Sequence, residues 1–253
     1  MEVVGKTIFI LKASETADNS DPYEEIFSLS GFCPVVIPSI EFEFCNLDVL
    51  KEKLLNPLSY SGIIFTSPRS VKAVSLALEN LSLPQAWTSL PTFVVGETTH
   101  QTVENSLGLH ADGKECGSAK ELAPVVSSRE FNKPLLFPCG NLKTDALANL
   151  LSENNVSVED VIVYKTSQHS KLKENIVTAI SKGFPEYVVF FSPSGVRYAV
   201  PIMNKLTFPW KDVKVVCIGP STETAVKEHG IEVWSVSKKP NPEFMLKAVL
   251  KQP

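Results

Sequence analysis

The chain has 253 residues, of which 43% are hydrophobic and 21% charged, so it has the composition of an ordinary globular protein with room for two small domains. Its formal net charge is −4 and its lysines and arginines are scattered, which argues against a nucleic-acid-binding protein. The sequence Met1–Lys6 lacks the pattern of a signal peptide and no apolar run approaches the roughly 18 residues of a membrane span, so we expect a cytosolic protein without membrane contact.

A strand, a helix and a second strand are predicted at the start of the chain. Thr7–Leu11 is apolar throughout, as in a parallel strand that is covered on both faces. Asp21–Tyr23 opens a helix, and a strand follows at Pro34–Pro38. We interpret the acidic and aromatic stretch Ser39–Phe44 as a connection, and the apolar spacing of Leu47–Leu55 predicts a helix.

A strand that ends in Ser-Pro at a helix start occurs twice, at Ile63–Pro68 and at Phe190–Pro193. Serine is a favoured N-cap, and proline suits the first helical position because its missing N–H would be unpaired there anyway. Each copy is followed by a strand that ends in glycine, Thr92–Gly96 and Val215–Gly219. The sequence therefore predicts an internal repeat.

The repeat extends to a third, looser pair of segments. The first strand-helix-strand unit, Thr7–Pro38, has its counterpart late in the chain, at Leu135–Tyr164. Each half is then completed by material from the other end of the sequence. The predicted domains are residues 1–38 with 171–253, and residues 43–165.

Further elements are predicted between these segments. A capping box marks a helix start at Ser118–Glu121, and the apolar spacing of Leu142–Leu151 predicts an amphipathic helix. The remaining predictions are a packing stripe that includes Leu81, a loop at Pro84–Pro91, a helix from Thr98 to Gly108, a polar extended connection at Lys165–Ser170, a helix after Gly219, a strand to Val236 and a helix capped by Asn241.

Strands that alternate with helices indicate a doubly wound parallel sheet, whose ligands bind where loops leave the carboxyl ends of the strands. These loops are rich in Ser, Thr and Gly, and helix starts of this kind attract anions. Taken singly, Ser67, Ser192 and Thr222 are better interpreted as helix caps. Taken together, the loops predict a cleft for a ligand with several carboxylates or phosphates. The loops are Thr66–Ser70, Gly96–Thr99, Cys139–Lys143, Ser192–Val196 and Gly219–Thr222.

Several other functions lack their motifs. There is no P-loop, no Gly-x-Gly-x-x-Gly, no Gly-x-Ser-x-Gly and no metal-ligand spacing among the four histidines. Of the five cysteines, Cys33, Cys139 and Cys217 are predicted to be buried reduced thiols, ahead of disulfides or metal ligands. Two alternatives stay open from the residues alone. Tyr164 is either a structural residue whose hydroxyl group is solvated or a functional residue. The cationic side chains of Arg69, Lys143 and Arg197 lie either on the solvated surface or in the cleft.

Three stretches resemble the uroporphyrinogen-III synthase family, the animal type in particular: Ile64–Arg69, Leu135–Lys143 and Phe190–Gly195. Asp21–Tyr23, Val163–Tyr164 and Ile218–Thr222 fit the same family in the same order, so the resemblance covers nearly the whole chain. It implies an α/β fold of two flavodoxin-like doubly wound parallel-sheet domains joined by a two-stranded linker. The linker strands would be residues 39–42 and 166–170.

The resemblance also implies an activity. The family are cofactor-free lyases of porphyrin and haem biosynthesis, which close the linear tetrapyrrole hydroxymethylbilane into uroporphyrinogen III and invert ring D through a spiro intermediate. It further implies a monomer with no metal and a transient contact with hydroxymethylbilane synthase. The competing interpretation is a non-catalytic two-lobed protein that binds an anionic metabolite.

By the resemblance, Tyr164 matches the proposed proton donor of the family. Glu97 stands where the family often has a small or amide residue, which argues against a direct anion contact there. Family matches and loop positions together give the candidate substrate-binding residues, which are Thr66, Ser67, Arg69, Thr99, Lys143, Ser192, Ser194, Ser221 and Thr222.

Overall fold

The computed structural model describes residues 5–13, 21–79, 81–143 and 145–252. The chain divides into two units. Unit 1 consists of Met1–Glu41 and Ser167–Pro253, and unit 2 is the continuous segment Phe42–Thr166. The domain limits and the separate linker segments derived from the sequence stay a prediction.

Strands and helices alternate along the described residues. The strands are β1 (Lys6–Ala13), β2 (Phe32–Phe44), β3 (Gly62–Phe65), β4 (Thr92–Val94), β5 (Ala111–Asp112), β6 (Leu135–Gly140), β7 (Val158–Gln168), β8 (Tyr187–Phe190), β9 (Lys214–Cys217) and β10 (Ser235–Val236). The α-helices are α1 (Pro22–Leu29), α2 (Leu47–Leu54), α3 (Pro68–Leu78), α4 (Glu97–Leu107), α5 (Ala119–Ser127), α6 (Ala146–Glu153), α7 (Leu172–Ser181), α8 (Pro193–Lys205), α9 (Pro220–Glu228) and α10 (Pro242–Leu250).

The sheet of unit 1 is parallel, with the strand order β2-β1-β8-β9-β10. Ile8 of β1 is paired with Pro34 of β2 on one side and with Tyr187 of β8 on the other. Numbered by their sequence within the unit, the strands have the order 2-1-3-4-5, which is that of the flavodoxin-like fold.

The sheet of unit 2 is also parallel and has the order β7-β6-β3-β4-β5. Strands β6 and β7 occupy the positions that β1 and β2 hold in unit 1, and β3, β4 and β5 occupy those of β8, β9 and β10. Strands that are related by the predicted repeat therefore occupy equivalent positions in the two sheets. Only their order along the chain differs.

Both faces of each sheet are covered. In β1, Phe9 and Ile10 point to opposite faces and both are fully buried, each in a different hydrophobic cluster. In β3, Ile64 and Phe65 do the same in unit 2. Burial on two faces explains why these strands are apolar without alternation.

Two segments that the sequence analysis interprets as connections continue their strands. Ser39–Phe44 belongs to β2, and Lys165–Gln168 belongs to β7. The alternation of Glu41, Phe42, Glu43 and Phe44 is the period of two that a half-exposed strand requires, and the strand at residues 39–42 that the resemblance implies is the end of β2.

Three further sequence-based predictions were wrong. Helix α6 begins at Ala146, so Leu142 lies in a loop and is 52% exposed. Helix α3 ends at Leu78, which leaves Leu81 outside its packed stripe and 49% exposed. The predicted loop at Pro84–Pro91 contains a 3-10 helix that buries Trp87 completely.

All five cysteines are free thiols, but not all of them are buried. Cys139 and Cys217 are buried as predicted, and burial raises the pKa of each thiol to about 12. Cys33 is exposed, contrary to the prediction. It lies near the amino end of β2, ahead of Val35 and Ile37, which share its face and pack into the core.

Candidate active site

The ligand-binding edge of each unit follows from its strand order. In open α/β sheets, ligands bind at the carboxyl ends of the strands, where the direction of the strand order reverses. In unit 2 this point lies between β6 and β3, which are followed by the loops Cys139–Lys143 and Thr66–Ser70. In unit 1 it lies between β1 and β8, and β8 is followed by Ser192–Val196. Three of the five predicted loops thus lie at such points in their own units.

The two Ser-Pro turns are N-caps, as predicted. The Ser67 Oγ accepts a hydrogen bond from the backbone N–H of Arg69 at 3.2 Å, and the Ser192 Oγ accepts one from Gly195 at 3.0 Å. A serine hydroxyl that accepts a backbone bond still has its O–H to donate. Each turn can therefore cap its helix and donate to a bound carboxylate at the same time.

Tyr164 lies directly against the backbone of Gly140. The pairing of β6 with β7 skips one residue between Cys139 and Gly140, which places Gly140 opposite Tyr164. A Cβ atom added to Gly140 would lie 2.5 Å from Cζ and 2.8 Å from the hydroxyl oxygen of Tyr164. The phenol therefore requires glycine at this position of the Cys-Gly-Asn sequence.

Asn141 fixes the end of β7 beside that phenol. Its backbone N–H donates to the carbonyl of Tyr164 at 3.0 Å, and its side-chain Oδ1 accepts from the N–H of Thr166 at 2.8 Å. The backbone that follows the half-buried phenol is thus held at two points by one residue.

Arg69 and Tyr164 are joined by an aromatic ring that the sequence analysis missed. The guanidinium carbon of Arg69 lies 3.5 Å from the ring centroid of Phe42. The Phe42 and Tyr164 rings meet edge to face, with centroids 6.3 Å apart and an interplanar angle of 74°. Phe42 is distant from both partners in the sequence, so no local pattern could have indicated this contact.

Lys143 lies in the predicted loop, but its ammonium group is held by carboxylates. Its Nζ is 3.2 Å from Asp145 Oδ1 and 3.3 Å from Asp160 Oδ2. Burial lowers the pKa of Lys143, but the hydrogen bond to Asp145 and the charge of Asp160 outweigh that effect, so the net shift is upward. Lys143 is therefore a firmly charged group that already has two anionic partners.

Thr99 and Thr222 hold equivalent positions, three residues after the glycine N-caps of α4 and α9. They are only 3% and 2% exposed. Thr222 is not the cap that the simpler sequence interpretation made it, because Gly219 takes that place. Ser221 is exposed, so in this loop it presents its side chain to solvent, whereas Thr222 does not.

Unit 1 contains a buried polar network that the sequence analysis also missed. Lys12 Nζ contacts Asp21 Oδ2 at 2.6 Å, and the other oxygen of Asp21 accepts from the N–H of Tyr23. The carbonyl of Lys12 accepts from the hydroxyl of Ser39 at 3.1 Å, and a Cβ on Gly195 would lie 2.9 Å from that hydroxyl. The network links the end of β1, the start of α1 and the first turn of α8. Its only sequence signal is a charge that follows an apolar strand.

Metal and thiol chemistry have little basis at these loops. Within the described part of the chain, no cluster of three or more His, Cys, Asp or Glu side chains could hold a metal ion. Burial, and secondly the charge of Asp160, raise the pKa of the Cys139 thiol to about 12, so it stays protonated at neutral pH. No helix among the described residues is long and apolar enough to cross a membrane.

A family model described as "Uroporphyrinogen-III synthase HemD" matches residues 21–247. The chain belongs to the uroporphyrinogen-III synthase family. Its members are lyase-type enzymes of tetrapyrrole biosynthesis that act on a small-molecule tetrapyrrole, so the family and enzyme class predicted from the sequence are confirmed. The alternative of a non-catalytic binding protein is not favoured.

Two yeast relatives agree with this assignment to the uroporphyrinogen-III synthase family. The chain is 28% identical to the uroporphyrinogen-III synthase of Schizosaccharomyces pombe, over 97% of this chain and 96% of that protein. It is 27% identical to the enzyme of Saccharomyces cerevisiae, over 90% of each. Both alignments extend over nearly the full length of the two proteins compared.

Solved structures of uroporphyrinogen-III synthases have the same fold. A mutant enzyme from the extremely thermophilic bacterium Thermus thermophilus matches with a TM-score of 0.68 at 15% identity, over 97% of this chain and 98% of that one. The enzyme from Helicobacter pylori matches with a TM-score of 0.66 at 18% identity, over 97% and 99%. At this identity the likeness concerns the fold alone, and it confirms the predicted two-domain α/β class.

Proposed function

We propose that the chain closes hydroxymethylbilane into uroporphyrinogen III, with inversion of ring D through a spiro intermediate. The observation that carries the proposal is the phenol of Tyr164, held against Gly140 at the carboxyl edge of the unit 2 sheet. It lies beside helix starts that can bind carboxylates, in a chain of the uroporphyrinogen-III synthase family.

The substrate is a carboxylate-rich linear tetrapyrrole, and the loops supply donors for it. A hydrogen bond to a charged group contributes about 1.5–3 kcal/mol, so several of them outweigh the repulsion from a chain of net charge −4. We assign direct contacts to the accessible groups, and to the buried Thr99 and Thr222 the role of shaping their loops. Lys143 would contribute through its charge. The direct contacts are assigned to Thr66, Ser67, Arg69, Ser192, Ser194 and Ser221.

In the proposed reaction, Tyr164 donates a proton to the departing hydroxyl group. The C–O bond breaks, water leaves, and the resulting cation is attacked by the substituted carbon of ring D. The spiro species fragments and recloses, and the proton lost on reclosure restores the phenol. The phenolic O–H is a hydrogen-bond donor, as this step requires. Orientation of the folded substrate supplies the remaining acceleration.

Product analysis tests the proposed function. The protein is mixed with hydroxymethylbilane, and the uroporphyrin isomers are separated after oxidation. We expect isomer III to form faster than the isomer I of spontaneous closure. A protein that binds the substrate but yields isomer I at the uncatalysed rate would be a binding protein, and the proposal would fail.

We expect turnover to be independent of metal ions. The proposed binding groups are hydroxyls, N–H groups and a guanidinium, none of which needs a metal to contact a carboxylate. The measurement is kcat/KM before and after dialysis against EDTA. A loss of activity that a divalent ion restores would require a different mechanism.

Alanine at the Ser-Pro turns is expected to weaken both folding and substrate binding. Loss of the cap in Ser67→Ala or Ser192→Ala should lower the free energy of unfolding by about 1 kcal/mol, and loss of the O–H donor should raise KM. Urea unfolding and steady-state kinetics measure the two effects. Ser118→Ala is the matched control, because Ser118 caps α5 outside the proposed site. It should lose similar stability with no change in KM; an unchanged KM in both site variants would limit those serines to capping.

The same family membership motivates proposals about the cellular setting. We propose a cytosolic monomer that contacts hydroxymethylbilane synthase transiently to receive its substrate. Sedimentation velocity at assay concentration would reveal a dimer if the monomer assignment is wrong.

A further inference from the structure

We infer that Phe42 is a positioning residue for this reaction, which holds the Arg69 guanidinium and the Tyr164 phenol at a fixed separation. The inference rests on the proposed function, in which Arg69 binds a substrate carboxylate and Tyr164 donates the proton. From the sequence, Phe42 is predicted only as part of the linker strand 39–42.

The geometry of the Arg69–Phe42–Tyr164 cluster carries the inference. Phe42 touches both partners, since the guanidinium of Arg69 lies over its face at 3.5 Å and the ring of Tyr164 meets it edge to face at 6.3 Å. Each partner is also fixed from another side. The Arg69 backbone N–H donates to the Ser67 Oγ, and the Tyr164 ring packs on Gly140. Phe42 therefore joins the guanidinium of a residue whose backbone is held at the helix start to a phenol that packs on β6.

The arrangement suits a carboxylate beside a departing hydroxyl. A guanidinium that stacks on a ring uses its face, and its N–H groups lie along its edge, where a carboxylate binds in two-pronged fashion. All three side chains are half-buried, so they are packed yet accessible from solvent. A pyrrole whose carboxylate is bound by Arg69 would thus have a set orientation towards the phenol.

Without the Phe42 ring, both groups should lose this mutual orientation. Small misplacements of a catalytic group can reduce a rate strongly, and about tenfold is a moderate outcome on that scale. A cation that is formed in the wrong orientation closes without inversion. We therefore expect a lower kcat and a larger share of isomer I, with a smaller change in KM.

Kinetics on Phe42 variants test this role. Phe42→Leu removes the ring and should lower kcat about tenfold, whereas Phe42→Tyr keeps the ring and should stay within about twofold of the original chain. In a Tyr164→Phe background, Phe42→Leu should have little further effect on kcat. Phe131→Leu is the matched control, since Phe131 is a half-buried ring of unit 2 that precedes the amino end of β6 and packs edge to face on Phe93, in a hydrophobic cluster that does not include Tyr164. It should leave kcat and the isomer ratio unchanged.

A second measurement does not depend on activity. The chain has three arginines, Arg69, Arg129 and Arg197, so the Nε–Hε signals of arginine are few enough to assign by NMR. The ring of Phe42 should shift the Arg69 signal upfield. Phe42→Leu should abolish this shift and Phe42→Tyr should keep it. If Phe42→Leu does not fold, Phe42→Met replaces it, because it also lacks the ring and is similar in volume.

The outcomes separate the two proposals. If the original chain makes no isomer III, the proposed function fails, and the NMR shift alone decides whether Phe42 holds Arg69. If the chain makes isomer III but Phe42→Leu retains the original kcat and isomer ratio, or loses kcat equally in the Tyr164→Phe background, the positioning role is overturned and the function stands.

Discussion

Tyr164→Phe is expected to lower kcat by about 10²-fold while leaving the free energy of unfolding nearly unchanged. General acid catalysis contributes typically about 10²- to 10⁴-fold, and the lower end is expected because orientation of the substrate supplies much of the rate. The phenylalanine ring keeps the contacts with Gly140 and Phe42 and removes only the hydroxyl. Single-turnover kinetics measure the rate of the chemical step, and circular dichroism checks that the variant is folded. Urea unfolding gives its free energy of unfolding.

Tyr187→Phe is the matched control for this variant. Tyr187 lies at the amino end of β8, away from the carboxyl edge, and its hydroxyl accepts from Lys214 at 3.4 Å. Its loss should alter stability slightly and kcat not at all. An unchanged kcat in folded Tyr164→Phe would remove the phenol from the mechanism and leave binding by the loops as the whole explanation.

Gly140→Ala is expected to reduce both stability and activity. The new methyl group would lie 2.5 Å, 2.6 Å and 2.8 Å from three atoms of the Tyr164 phenol, so the ring or β6 must move. Overpacking of this kind costs about 1–3 kcal/mol, and displacement of the phenol by about 1 Å can reduce kcat about 10²-fold. Thermal unfolding and kinetics at saturating substrate measure these losses.

Gly117→Ala separates this effect from a general loss of glycine. A Cβ at Gly117 would lie 3.6 Å from the nearest atom, a carboxylate oxygen of Glu121, which is ordinary contact distance. That variant should therefore fold and react like the original chain. If Gly140→Ala retained full activity, the phenol could not depend on its present position, and the assignment of Tyr164 as proton donor would weaken with it.

Features that depend on neighbours in the sequence could be predicted well. The N-caps at Ser67 and Ser192 follow from a serine, a proline and the end of an apolar run, all within a few residues. The doubly wound fold follows from the alternation of strands and helices. The internal repeat indicated which strand of one unit is equivalent to which strand of the other.

Features that depend on distant segments could not be predicted in this way. Phe42 contacts Arg69 and Tyr164 only because the end of β2, the start of α3 and β7 meet in the folded unit 2. The contact of Gly140 with Tyr164 arises from a one-residue shift in strand pairing, which no composition or spacing encodes. The ion pair between Lys12 and Asp21 also depends on how the chain folds, because the two residues belong to different elements.

The difference in chain order between the two sheets has a consequence for synthesis on the ribosome. All strands of the unit 2 sheet lie in one continuous stretch, from Gly62 to Gln168, whereas the central strand β1 of unit 1 pairs with β8, which begins only at Tyr187. A nascent chain therefore carries every strand of the unit 2 sheet before it carries β8. Until Tyr187–Phe190 emerges, the apolar strand β1 has an open edge, and the growing polypeptide must keep that edge from aggregation.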